Sequence, residues 1–268
     1  MALNPTRPVA LVTGASGGIG EAIAHVLAEA GYDLVLVARS ADKLAAVAGA
    51  LTALGATATV IASDLAAPGA GVALEAETTA RGLVIDVLVN NAGYGTTGGV
   101  LDADLNELLG MIDLNCRILT ELSWRFGRGM RARGRGGIIN VASTAAFQPG
   151  PFMAGYYASK AYVLSFTEAL NHELRGTGVH ATALCPGPVA TGFQERAAFD
   201  KSMALTALPM QSAQAVAQAG YDGFIAKKAV VIPGLINQVM ARSSAFAPRL
   251  VLLSAIEKLQ KKRSGTHG

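Results

Sequence analysis

Seven short apolar runs recur along the chain, most of them separated by longer segments with helical spacing of their apolar residues. The runs are Val9–Val12, Leu34–Val37, Thr57–Ala62, Val84–Val89, Gly137–Val141, Val179–Leu184 and Ala229–Ile232. Most are nearly continuous rather than alternating in polarity, the pattern of strands buried on both faces of a parallel sheet. Segments 18–30, 41–54, 105–131, 155–174 and 212–226 read as helices. The order predicts an α/β fold, a doubly wound parallel sheet of about seven strands with helices on both faces.

The segment Gly127–Gly137 (GRGMRARGRGG) reads as a solvated loop between a helix and a strand. There is no internal repeat, so residues 1–268 are expected to form a single domain. Within it, 192–210 is expected on the substrate side, and 235–263 as a C-terminal helical extension.

Composition narrows the functional classes. Of 268 residues, 51% are hydrophobic and 15% charged, which argues against a disordered chain. The 22 basic and 19 acidic residues leave a net charge of +3. The densest basic clusters, Arg125–Arg135 and Lys258–Arg263, carry no interleaved aromatics, so no nucleic-acid partner is expected. Two cysteines, Cys116 and Cys185, and four scattered histidines offer neither a disulfide framework nor metal-ligand spacing, and no metal is expected. The N-terminus lacks an apolar signal core and no apolar run reaches the length of a membrane span, so a cytoplasmic location is expected.

The first strand runs into Thr13-Gly-Ala-Ser-Gly-Gly-Ile-Gly20 and then an apolar helix. Glycines at 14, 18 and 20, with Ser16 and Ile19 between them, suit a tight turn in which backbone approaches a pyrophosphate at a helix N-terminus. The pattern predicts the dinucleotide seat of a Rossmann fold, with an ordinary Gly-rich βα turn as the alternative. The choice between NAD(H) and NADP(H) falls to the end of the second strand. Asp33 lies at that strand's start, the wrong end of the sheet; its far end carries Arg39 and Ser40. A guanidinium suits a ribose 2′-phosphate, so NADP(H) is favoured over NAD(H). Ser40 alternatively caps the following helix.

Tyr156-Tyr-Ala-Ser-Lys160 puts a phenol and an ammonium four residues apart on one helix face. A cation near the phenol is expected to lower its pKa towards the working range of a proton donor and acceptor. Ser143 ends the strand Gly-Ile-Ile-Asn-Val-Ala-Ser, and Asn115 lies in the preceding long helix.

At this point the sequence resembles the short-chain dehydrogenase/reductase family, in its short single-domain branch. The likeness runs over about residues 8–234 through TGASGGIG (13–20), SDL (63–65), NNAG (90–93), LN (114–115), INVAS (139–143), YYASK (156–160) and CPGPVAT (185–191). Its opening and middle look most like bacterial NADP-dependent members grouped with hydroxysteroid and fatty-acyl-type reductases.

The resemblance implies that Tyr156 exchanges a proton with a substrate carbonyl while hydride passes to or from the nicotinamide. Lys160 would lower the phenol pKa and bind the nicotinamide ribose, Ser143 would polarise the carbonyl, and Asn115 would seat a water linked to Lys160. It places Asp64 and Leu65 at the adenine, and the backbone of Asn91, Ala92 and Gly93 along the cofactor. Pro186, Gly187, Val189 and Thr191 fall around the carboxamide. A homodimer or homotetramer is implied in the same way. Asn91 serves equally well as a strand-end brace, Asn115 as a helix-kinking polar residue, and Tyr157 reads as pocket wall or core. Read without the resemblance, a non-catalytic NADP(H) sensor or scaffold stays open, as does an NAD-dependent alcohol dehydrogenase.

Substrate-side candidates are 144–152, 94–98, Pro188 and 192–209, with Phe147, Phe152, Met153, Phe193, Phe199 and Met203 making the set apolar. They favour a small hydrophobic ketone, aldehyde or alcohol as partner. Residues 247–263 form an apolar-striped helix with a basic end. It is read as covering its own domain, with a membrane surface or a second subunit as less favoured resting places.

Overall fold

The computed structural model describes residues 7–189, 210–244 and 248–264. Seven parallel strands form one sheet: β1 (Val9–Thr13), β2 (Asp33–Ala38), β3 (Ala58–Ala62), β4 (Ile85–Asn90), β5 (Gly136–Val141), β6 (Val179–Leu184) and β7 (Val230–Val231). Their spatial order is β3-β2-β1-β4-β5-β6-β7. The order reverses between β1 and β4, so the crevice beyond their carboxyl ends is the place where a doubly wound sheet takes a ligand.

Both faces of the strands are buried. Ala10, Val12, Leu34 and Leu36 point into one core, with Val26 and Leu27 of α1 (Gly18–Glu29), Leu44 and Leu51 of α2 (Ala41–Ala53) and Val216 of α7 (Ala213–Ile225). Leu11, Val35, Val37, Leu88 and Ile138 point into the other, against Leu74 of α3 (Ala70–Ala80) and Leu122 and Met130 of α5 (Ile118–Arg133). Adjacent residues of one strand thus serve opposite layers, which is why the strands read as unbroken apolar runs. Among the described residues the remaining α-helices are α4 (Leu105–Ile112), α6 (Ala154–Glu173), α8 (Leu235–Ser243) and α9 (Arg249–Ser264).

Three local features differ from the sequence expectation. Helix α3 carries few large apolar residues and buries only Ala70, Gly71, Leu74 and Thr78, so its periodicity is faint; the crossover from β3 to β4 nonetheless needs such a segment. The segment Gly127–Gly137 is not a loop. Helix α5 runs on to Arg133 and ends on Gly134 in the left-handed conformation at φ 67°. A Cβ at Gly127 would stand 3.4 Å from Ile138 Cδ1, so the helix lies close against β5 there. Arg131 and Arg133 sit in its last turn, where the carbonyl dipole favours cations. Finally, the long helix expected over 105–131 is interrupted by a π-helical turn at Asp113–Arg117 that carries Asn115.

Helix α9 packs on its own chain through Leu252, Ile256 and Gln260. Among the described residues no helix is long and apolar enough to cross a membrane.

Candidate active site

The Gly-rich turn is built by close approach. Gly14 turns the chain at φ +66°, and a Cβ on Gly20 would fall on Gly14 O and Asn91 Nδ2. Asn91 explains the crowding: its Nδ2 donates to Thr13 O at 2.9 Å and Gly14 O at 3.2 Å, stapling the end of β4 to the turn. Thr13 Oγ1 in return accepts from the backbone N–H of Asn91 and of Ala92, both at 3.0 Å. The Asn91 side chain is therefore the strand-end brace, while its backbone faces the cleft.

Around this junction opens a cleft of about 710 Å³. It brings together most of the sequence-predicted residues: Gly14, Ser16, Gly18, Ile19, Arg39, Ser40, Asp64, Leu65, Asn91, Ala92, Gly93, Ser143, Tyr156, Lys160, Pro186, Gly187 and Val189. Gly20 and Asn115 support it from behind, and Thr191 lies outside the described residues, as does nearly all of 192–210.

A dinucleotide fits this half of the cleft. A Cβ at Gly17 would meet nothing within 4 Å, so space opens directly over the turn. No side chain caps the N-terminus of α1, which leaves its first N–H groups for an anion. At the end of β2, Arg39 is joined by Lys43 from the first turn of α2, a cation the sequence analysis passed over although it lies four residues further on. Ser40 holds the N-cap position of α2 but makes no capping hydrogen bond. Asp64 Oδ1 accepts from Ala66 N at 3.1 Å, which fixes that carboxylate at the cleft edge. Asp33, at the opposite end of the sheet, is buried and accepts from Thr57 N at 2.8 Å.

The reactive end is set by β5 and α6. Ser143 follows β5, and its Oγ accepts from Ala145 N at 3.1 Å. Lys160 is 6% exposed and donates to Val141 O at 2.8 Å. Burial pulls its pKa down to about 8. Tyr156 lies beside it, the ring centroid 5.9 Å from Lys160 Nζ. Here the structure departs from the expectation of an acidified phenol. Desolvation pushes Tyr156 up to about 12, a hydrogen bond from Ser143 working the other way. The cation does not offset the cost of burying a phenolate, so the phenol is protonated at neutral pH.

Asn115 acts as a clamp. Its Oδ1 accepts from Tyr94 N at 3.1 Å, and its Nδ2 donates to Tyr94 O at 2.9 Å and Ser159 Oγ at 3.0 Å. Ser159 in turn donates to Tyr156 O at 2.7 Å. The π-turn thus ties the loop after β4 to the first turn of α6. Ser159, buried inside the YYASK motif, was not singled out from the sequence.

The substrate half is walled by Gln148, Met153, Tyr157 and Pro188, with Asn237, Met240 and Ala241 of α8. The three α8 residues escaped the sequence reading. Phe147 packs into a separate core under α6 instead of lining the cleft. Phe152 sits off the cleft at φ 62°, its carbonyl accepting from Gly98 N at 2.9 Å. Phe193, Phe199 and Met203 lie outside the described residues. Among the described residues no group of three or more His, Cys, Asp or Glu converges.

A doubly wound sheet with a Gly-rich turn at its switch point, opening into one cleft with a Ser, Tyr and Lys cluster, defines an NAD(P)-binding Rossmann fold of oxidoreductase type. Comparison with known proteins makes the assignment specific: the model of the short chain dehydrogenase family matches residues 8–201, and the chain belongs to that family. It is 42% identical over 195 residues to a candidate ketoacyl reductase of the monensin polyketide synthase from Streptomyces virginiae, covering 71% of this chain and 74% of that protein. Among solved structures it resembles a short-chain dehydrogenase from Sphingobium yanoikuyae in complex with NADPH. The TM-score is 0.79 at 34% identity, over 89% of this chain and 91% of that one. It also resembles the bulky-bulky ketone specific alcohol dehydrogenase from Comamonas testosteroni, with a TM-score of 0.75 at 29% identity, over 89% and 93%. The similar structures include complexes with NADPH and with NAD.

Proposed function

We propose that the protein is an NADP(H)-dependent carbonyl reductase and alcohol dehydrogenase acting on a hydrophobic ketone or aldehyde and its alcohol. The observation that carries this reading is the meeting of Ser143, Tyr156 and Lys160 in the same cleft as the Gly-rich turn. Bound nicotinamide supplies the hydride; the chain supplies the proton and holds the carbonyl.

In reduction, Tyr156 gives its hydroxyl proton to the substrate oxygen as the carbonyl carbon becomes tetrahedral. A phenol held near 12 stays protonated at neutral pH, which suits a donor. Ser143 Oγ accepts from Ala145 N and gives its own hydrogen to Tyr156; a bound carbonyl oxygen would take that hydrogen over. Lys160, anchored at Val141 O, keeps positive charge beside the phenolate that proton transfer creates. Asn115 holds α6 in register through Ser159 and so fixes the Tyr156 backbone. In the oxidative direction the same groups act in reverse.

Preference for NADP(H) is read from Arg39 and Lys43, two exposed cations at the adenine-side edge with Ser40 between them and no carboxylate on the end of β2. The wall of Met153, Tyr157, Pro188, Met240 and Ala241 supports an apolar substrate. Exposed Leu105, Leu109 and Ile112 on α4, Trp124 on α5 and Tyr162 on α6 support a homo-oligomer. The free thiols Cys116 and Cys185 fit a reducing cytoplasm.

The test is NADPH oxidation over a panel of apolar ketones by the wild type and Tyr156→Phe. Turnover should fall at least about a hundredfold in the variant, with NADPH affinity by fluorescence titration unchanged. Retained turnover overturns the assignment of Tyr156.

A further inference from the structure

Helix α9 lies outside the sheet scaffold that carries the chemistry, yet it packs against residues that line the substrate half of the cleft. Leu252, Ile256 and Gln260 recur every fourth residue and share one face of the helix. Ile256 is 5% and Gln260 2% exposed, whereas Leu250 on another face is 80% exposed. The inward face packs with Ala145, Met153, Tyr156 and Tyr157. An apolar stripe thus continues into a buried carboxamide, a costly residue to place there unless it serves a partner.

That partner is Tyr157, 103 residues away in sequence: Gln260 Nε2 donates to its hydroxyl at 2.8 Å. Tyr157 lines the cleft and meets Tyr156 edge-on, with ring centroids 6.2 Å apart and planes at 79°. The ring also fills the space a Cβ on Gly150 would need, so it packs closely on the backbone there. Met153, which belongs to that wall, also accepts the Tyr157 backbone N–H at 3.0 Å.

We propose that Gln260 is a positioning residue for the substrate half of the cleft. By donating to the Tyr157 hydroxyl it holds the ring against Gly150 and docks α9 behind the wall on which the substrate's apolar substituent rests. The contact with Tyr157 is local to this wall, while the dinucleotide seat is built from the carboxyl ends of β1, β2 and β4. Loss of the hydrogen bond therefore alters substrate binding and leaves cofactor binding alone. The assignment to a substrate wall rests on the oxidoreductase reading above.

Gln260→Leu keeps the bulk of the side chain and removes the donor. Expected are a KM for an apolar ketone raised about tenfold, a kcat within twofold and an unchanged NADPH affinity. Hydrogen exchange in residues 249–260 should accelerate in the same variant. Adding Tyr157→Phe removes the hydroxyl that Gln260 addresses as well, and the double variant should show the KM and exchange of Tyr157→Phe alone. Additive effects of the two substitutions, or losses of NADPH affinity matching the losses in KM, would show a merely structural role and overturn the proposal. Unchanged KM and exchange in Gln260→Leu would do the same. If the wild type turns over no ketone, the oxidoreductase reading fails by itself; the coupling of Gln260 to Tyr157 is then judged on the exchange data for the single and double variants. Should Gln260→Leu fold poorly, Tyr157→Phe breaks the same hydrogen bond and should accelerate exchange in residues 249–260 alike, with NADPH affinity unchanged.

Discussion

Lys160 gives up stability for its position, and the amount can be worked from its surroundings. The ammonium is 6% exposed and its described hydrogen bond runs to Val141 O. Burial lowers its pKa from 10.5 to about 8, so the charged form is less welcome in the folded protein than in the unfolded chain. A displacement of that size corresponds to about 3 kcal/mol of lost stability below pH 8. Replacing Lys160 by Met removes this cost but strands the Val141 carbonyl, which takes back about 1 kcal/mol. Lys160→Met should therefore be about 2 kcal/mol more stable than the wild type at pH 7, and catalytically inert.

The pH dependence gives the sharper test. Between the folded value near 8 and the unfolded value of 10.5, the unfolded chain binds more protons at Lys160 than the native state does. Wild-type stability attributable to this residue consequently rises with pH across that window, and the gap to Lys160→Met closes by about pH 10. Urea unfolding of both proteins at intervals from pH 6 to about pH 10 measures the gap directly. Burial pushes Cys185 up to about 12, so its thiol stays protonated in both native proteins across this window and drops out of the difference, although Lys160 pulls it down in the wild type alone. A gap that stays flat with pH, or a variant less stable than the wild type at pH 7, refutes the reasoning.

Other substitutions read out separate parts of the site. Arg39→Ala combined with Lys43→Ala should weaken NADPH at least about tenfold and leave NADH unchanged in fluorescence titrations, with the wild-type preference shrinking as salt rises. Gly20→Ala should cost about 3 kcal/mol in denaturant unfolding, because its Cβ meets Gly14 O and Asn91 Nδ2. Gly17→Ala, at an extended φ of 167° with open space around the added carbon, should fold within about 0.5 kcal/mol of the wild type. Asn91→Ala leaves Thr13 O and Gly14 O without their donor and should lose about 2 kcal/mol by the same assay.

What the sequence displayed is what local chemistry encodes. The strands, the Gly-rich turn, and the Tyr156 and Lys160 pair are each legible because their residues are neighbours on one element. Arg39 is legible from which end of β2 opens on the cleft, and Lys43 lies one turn further on in α2. Helix α3 stayed hidden because its Ala and Thr residues carry little apolar periodicity. Gly127 and Gly129 suggest a loop, although the helix runs through both and keeps Gly127 where it presses on β5. The α8 residues had no local signature at all. That helix turns Asn237 and Ala241 inward and leaves Leu235, Ile236 and Val239 exposed, so its pattern reads inside out. Likewise, nothing near Gln260 in the chain announces a partner 103 residues away.

The junction of Gly14, Gly20 and Asn91 has a consequence for how such a chain can change over generations. Its parts are main-chain atoms and one carboxamide, packed so that a single added carbon at Gly14 or Gly20 collides. Inheritance can do little there except copy. The opposite end of the same cleft is made of side chains drawn from α6, α8 and the segment after β5, each replaceable without moving the turn. Descendants of this chain are free to explore new substrates while the grip on the dinucleotide stays frozen, so novelty in this lineage accumulates at one end of a cleft whose other end cannot drift.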